Sequence, residues 1–281
     1  MSEIHDQTYR RYAGTREPMG RAWTVIAWAG IRSMLGRKMF LALMLLAWIP
    51  FLVRAVQIYA VTMWPQARDF LPVNAQLFQR FVEQQGTFVF FICIYVGSGL
   101  IANDLRANAL QIYLSKPLFR MEYIAGKLSI LLFFLLEATL LPALMLIALQ
   151  IAFSGSLEFF WNNLSVIPAI VLACVIRVIV AAVSMLALSS LSKSTRYVAV
   201  MYTGIIFFTE AMYGVLTFVT GSTRVAWVSI TGNLDNLTDA IFRQPARYET
   251  PMLVSLLVLA CLVVVSLSVL ERRVRGVEVV S

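Results

Sequence analysis

The chain has 281 residues, 60% of them hydrophobic and 14% charged, with a mean hydropathy of +0.79. Soluble domains carry about 25% charged residues; here the apolar residues gather in runs of about 20, the length that crosses a hydrocarbon core of about 30 Å, so little chain remains for a soluble catalytic domain. The net charge of +8 sits in the connectors between those runs, the pattern of cytoplasmic loops in membrane proteins and not of a nucleic-acid-binding surface.

Residues 1–19 are polar and basic, with Arg10, Arg11 and Arg16, and the single histidine, His5, reads as a solvated tail residue. No cleavable signal peptide is apparent, because the first apolar run begins near Met39, too far in and too long for one. Residues 20–38 predict an amphipathic helix lying on the membrane. Arg21 and Arg32 share one face, and Trp23, Ile26, Ala27, Gly30 and Met34 lie opposite, although Val25 and Trp28 interrupt the basic side.

Six spans are predicted next: Met39–Met63, Gly86–Ala102, Lys127–Ala152, Leu164–Ser190, Val198–Thr220 and Met252–Leu270. The second is short and glycine-bearing and could begin nearer Phe81. Lys and Arg set the orientation. With both termini cytoplasmic, the cytoplasmic connectors hold sixteen of the 23 and the outer ones five, and Arg54 and Arg177 fall within spans. The expected organisation is an all-α integral membrane protein: a tail and interfacial helix (1–38), a six-span domain (39–270) and a cytoplasmic tail (271–281). Within the domain, the outer segment 221–250 is long for a connector. Leu234, Leu237 and Ile241 recur there at helical spacing, and Asn233 reads as an N-cap. The cysteines Cys93, Cys174 and Cys261 all lie in apolar runs, with no disulfide framework and no metal-ligand spacing.

No nucleotide-binding loop is present: the one Gly-Lys pair, Gly126-Lys127, has Met121 where a phosphate-binding loop needs glycine. Zinc-protease and nucleophile-elbow motifs are absent too. The informative cytoplasmic segment is 103–127, NDLRANALQIYLSKPLFRMEYIAGK. Asn103 or Asp104 can cap a helix of good helix formers, on which Leu105, Ala109, Ile112 and Tyr113 share a face. Lys116-Pro117 ends it, since proline disfavours the helical conformation of the residue before it. A second short helix then runs through Arg120 and Glu122 into Gly126-Lys127 and the third span. A bare hairpin needs only a few residues, so this elbow is more than a turn.

The run GLIANDLRANALQIYLSKPLFRMEYIAGKL resembles the loop of type-two ABC exporter permeases, in which an acidic residue, a short helix, a proline turn, an arginine, an acidic residue and a Gly-Lys follow in order. Many members begin it with glutamate, where this chain has Asn103-Asp104. The motif covers about 25 residues, and the architecture is similar over most of the chain. The resemblance implies that this loop (103–126) is a coupling helix docking in a groove of an ATPase subunit, with Asn103, Asp104, Leu105, Arg106, Ala109, Leu110, Tyr113, Lys116 and Pro117 as coupling residues. It implies an ABC ATPase that holds the ATP and magnesium, a second permease copy or similar partner, and surrounding lipid. The chain itself would bind no cofactor, metal or nucleic acid and would not be an enzyme. Export of an amphipathic lipid, drug or peptide across a plasma membrane, the bacterial inner membrane, is the expected activity.

Charged residues inside the spans form the second constellation. Glu137, Arg177 and Glu210 are expected at a similar depth, and a charge at the bilayer centre costs about 2.5–3.5 kcal/mol. They read either as a polar lining or switch on a substrate path or as a fixed interhelical pair, Arg177 with one glutamate. Tyr202 and Tyr213, with Thr203, Thr209 and Thr217, make the fifth span polar and aromatic, as in a lining helix or in ordinary interhelical hydrogen bonding. Arg54 is expected to snorkel to the headgroups. Two other classes of function stand beside the permease. A membrane-embedded enzyme using Glu137 and Glu210 as paired acids would be active without an ATPase, and a passive channel or scaffold would conduct ions alone.

Overall fold

The computed structural model describes residues 21–64, 66, 70–109, 119–154 and 165–274. Six helices are long and apolar enough to cross a membrane: Lys38–Met63, Ala75–Arg106, Arg120–Phe153, Val166–Leu191, Thr195–Thr220 and Met252–Arg273. They are called the first to sixth spans below. Among the described residues there are no strands. A helix Ala22–Leu35 precedes the first span, and another, Ile230–Ile241, lies between the last two.

Two spans depart from the uninterrupted rods expected. The first is broken at Trp48 into Lys38–Ala47 and Ile49–Met63. Pro50, in the first turn of the second half, has no N–H to continue the ladder of the first. The second begins at Ala75, earlier than either expected start, because Asn74 caps it: its Oδ1 accepts from the Leu77 N–H at 3.3 Å. That helix then widens into a π-helical turn at Cys93–Gly97, a form that recurs at functional sites. The third span runs unbroken from Arg120, so no separate short helix precedes Gly126; between Arg120 and Lys127 the sequence holds one glycine and no proline.

Below the π turn the backbone is pinned from the fourth span. The Ser189 hydroxyl accepts from the N–H groups of Ile101 and Ala102, each at 3.1 Å, and donates to the Ser98 carbonyl at 3.0 Å. Phe40, Ile92, Phe134, Leu135 and Met185 form the fully buried centre of the main core, with the Phe40 and Phe134 rings edge to face at 4.6 Å. In lipid such packing acts through close van der Waals fit rather than exclusion of water.

The N-terminal helix packs its apolar side on the third span. A Cβ on Gly126 would lie 2.8 Å from the Ile26 Cβ and 3.0 Å from the Trp23 carbonyl oxygen, so only glycine allows this approach. Trp28 and Val25 face away and are exposed. We expect Gly126→Leu to cost about 1–3 kcal/mol through overpacking, read as a lowered midpoint in thermal unfolding of the purified chain. An unchanged midpoint would show that this helix does not hold the seat described.

The interspan helix Ile230–Ile241 is present as expected, with Leu234 and Leu237 buried, but its cap is Ser229, not Asn233. The Ser229 Oγ accepts from the Gly232 N–H at 2.8 Å. Asn233 is one turn inside the helix and donates to the carbonyls of Trp227 and Ser229 at 2.8 and 2.7 Å. Serine and asparagine are comparable caps; Ser229 prevails because the chain enters it in extended conformation after the tight turn Thr223–Val228.

Candidate functional site

The elbow after the second span is the first candidate. Asn103, Asp104, Leu105 and Arg106 lie in a short helix, Ala102–Arg106. That helix does not continue as the composition predicted: Asn108 takes a left-handed conformation (φ 52°), which asparagine tolerates better than most residues. Ala109 follows directly, while Leu110, Ile112, Tyr113, Lys116 and Pro117 lie outside the described residues. The base of the elbow is tied to three neighbours. Asp104 meets the Lys127 ammonium at 2.7 Å and accepts from the Tyr123 hydroxyl at 2.8 Å, both on the third span. Asn103 Oδ1 accepts from the Thr195 hydroxyl at 3.0 Å, at the start of the fifth span. Ser189 supplies the tie to the fourth.

The intramembrane charges are the second candidate, and they do not pair as expected. Arg177 meets Asp235 of the interspan helix at 2.9 Å rather than either glutamate. Gly86 makes room for it, since a Cβ there would lie 2.7 Å from the Arg177 Nη1. Glu137 accepts from the Trp48 indole N–H at 3.2 Å, at the break in the first span. Glu210 accepts from the Ser229 hydroxyl, the cap of the interspan helix. Among the described residues no hydrogen bond or ion pair joins Glu137, Arg177 and Glu210 to one another. The physical reason is that the interspan helix reaches the spans and supplies two of the three partners itself.

A third tie completes that pattern. Arg247 binds both Asp239, at 2.6 Å, and Glu83 of the second span, and Gln79 donates to Asp239 and to Glu83. The hydrogen bond to Asp239 comes first among the causes that hold the Arg247 guanidinium above its ordinary range. Burial pushes the nearby Tyr248 hydroxyl up to about 12, with the Asp235 carboxylate adding to the shift, so it stays protonated at neutral pH. Tyr213 meets the Tyr248 ring edge to face at 5.8 Å, while Tyr202 is buried and stacks on Phe90. Arg54 donates to Gln57 at 2.8 Å.

Arg177, Asp235 and Glu83 line a cavity of about 510 Å³ between the second, fourth, fifth and sixth spans and the interspan helix. Binding pockets for small molecules run to about 300–1,000 Å³. The rest of its walls are largely apolar and aromatic. Sequence reasoning missed Glu83, Asp235, Ser189 and Trp48. The signal for Asp235 was an acid one residue beyond a leucine of the amphipathic pattern; for Trp48 it was Pro50 just after it.

Six helices long and apolar enough to cross a membrane define a polytopic membrane protein. The chain matches the family model described as ABC-2 family transporter protein over residues 24–274, and it belongs to that family. It is therefore a multi-pass permease, the membrane part of an ABC transporter and not its ATPase. No curated protein matches the chain in sequence.

Proposed function

We propose that this chain is the permease subunit of an ATP-driven exporter in the bacterial inner membrane, paired with a second permease copy and driven by a separate ATPase docking on the loop between the second and third spans. The ATPase holds ATP and magnesium, and both termini of the permease face it. The supporting observation is the base of the elbow, where Asp104, Asn103 and the backbone at Ile101–Ala102 are tied to the third, fifth and fourth spans. A push on a loop so anchored moves three spans at once, whereas a loosely attached hairpin would absorb it. The cargo is amphipathic, in keeping with an apolar cavity that has a charged end. Paired-acid enzymology is the weaker reading, because Glu137 and Glu210 have separate partners, Trp48 and Ser229.

Co-purification from native membrane tests this. A stoichiometric ATPase should accompany the wild-type chain and be lost when Leu105, Arg106 and Tyr113 are changed to alanine. No ATPase with either, from membranes that preserve other complexes, would refute the permease–ATPase assignment.

A further inference from the structure

The cavity has a direction. Its lining includes both Arg177 and Leu191 of the fourth span, fourteen residues apart, or about 21 Å at 1.5 Å per residue. One leaflet of a hydrocarbon core is about 15 Å deep, so an extended apolar chain fits along it. The apolar end lies between Leu188, Leu191 and Val269. Higher up come the rings of Phe90, Tyr202 and Phe207, and then the charged end.

The sign of that charged end follows from what each group presents. Glu83 and Asp235 are two carboxylates against one guanidinium, Arg177. The Arg177 side chain is 6% exposed and its Nε, though without a hydrogen-bond partner, is enclosed and out of reach of a ligand, whereas the Asp235 side chain is 16% exposed and uses only Oδ1 on Arg177. Glu83, also partly exposed, faces Arg247, yet Arg247 is shared with Asp239. Three carboxylates thus meet two arginines, and the free acceptor surface in the cavity is carboxylate. Aromatic faces below it attract cations as well.

We propose that this cavity binds a lipophilic cation, a molecule with an apolar chain or body and one positive centre, with the positive centre on Asp235 and the apolar part running toward Leu191. That such a molecule is the exporter's cargo rests on the permease reading above; the binding itself does not, and its test needs no ATPase.

The full chain in phosphatidylcholine nanodiscs is titrated with radiolabelled tetraphenylphosphonium and, separately, with tetraphenylborate, an anion of nearly the same size and shape. The cation is expected to bind saturably, about one per chain, and the anion not to saturate. Asp235→Asn, which keeps an acceptor for Arg177, should weaken cation binding at least about tenfold. Ser184→Phe fills the cavity from the fourth span and gives up only a hydrogen bond to the Val180 carbonyl in its own helix. It should abolish binding in a chain that still elutes as a single folded species. Equal binding of the two ions, or wild-type affinity in folded Ser184→Phe, overturns the proposal. Should Asp235→Asn not fold, the ion comparison and Ser184→Phe decide alone. Absent cation binding in a chain that still recruits its ATPase removes the cation site and leaves the permease reading standing.

Discussion

Asp235→Ala is expected to cost about 3–5 kcal/mol of stability, among the largest effects of any single substitution in this protein. The change strands the Arg177 guanidinium, 6% exposed in its side chain, without the carboxylate 2.9 Å away. No other acid is free to replace it: Glu137 and Glu210 are engaged elsewhere, and Glu83 is held by Arg247. Unfolding by SDS titration in mixed micelles reads the loss directly. The pair itself contributes far less than its rupture costs, because desolvating two ions offsets most of their attraction. The double variant Arg177→Met with Asp235→Leu should therefore recover most of the stability. A double variant as unstable as Asp235→Ala would mean that the interspan helix is held for some reason other than charge balance.

Ser189→Ala is the second large effect, and Ser190→Ala is its control. Removing the Ser189 hydroxyl orphans two buried N–H groups and one carbonyl, those of Ile101, Ala102 and Ser98. Each such group costs about 1–3 kcal/mol when left unpaired. Ser190 is just as buried in practice, but its hydroxyl donates only to the Ala187 carbonyl of its own helix. Removing such a back-bond is near neutral. The same SDS titration should separate adjacent serines by several-fold in cost. Equal, small costs for both would show that the π turn is held by its own helix and not by the fourth span.

The spans were legible because the bilayer imposes one requirement, about 20 apolar residues, and the chain meets it six times. Local punctuation was legible in part. Pro50 marks the break in the first span, and Ser229 competes with Asn233 for one cap through a difference in entry geometry that composition does not carry. The charge pairing was not legible, since Arg177 and Asp235 are 58 residues apart and their meeting depends on the interspan helix reaching back among the spans. Ser189 was hidden for another reason: a serine in an apolar run is ordinarily back-bonded, and only the π turn of a neighbouring span gives this one three partners. At the elbow, the acid at Asp104 and the base at Lys127 stood out in the sequence, but the left-handed Asn108 that stops the short helix did not.

The fifth span is the least enclosed of the six, and Gly204 and Gly214 on it have open space where a side chain would be. Its buried residues, Val198 and Tyr202, are both near the elbow end. Toward the other end it is clasped by Glu210 on Ser229 and then turns at Gly221, in a left-handed conformation. Beyond Tyr202 it is tied by Glu210 on Ser229, the Phe207 ring on Phe90 and the Tyr213 ring on Tyr248. Few buried contacts mean a low free energy of local opening, so this helix is expected to open most readily of the six. Amide hydrogen exchange should accordingly run fastest in residues 207–220 among all the spans, next to the cavity wall formed by Ile205, Ile206 and Phe207.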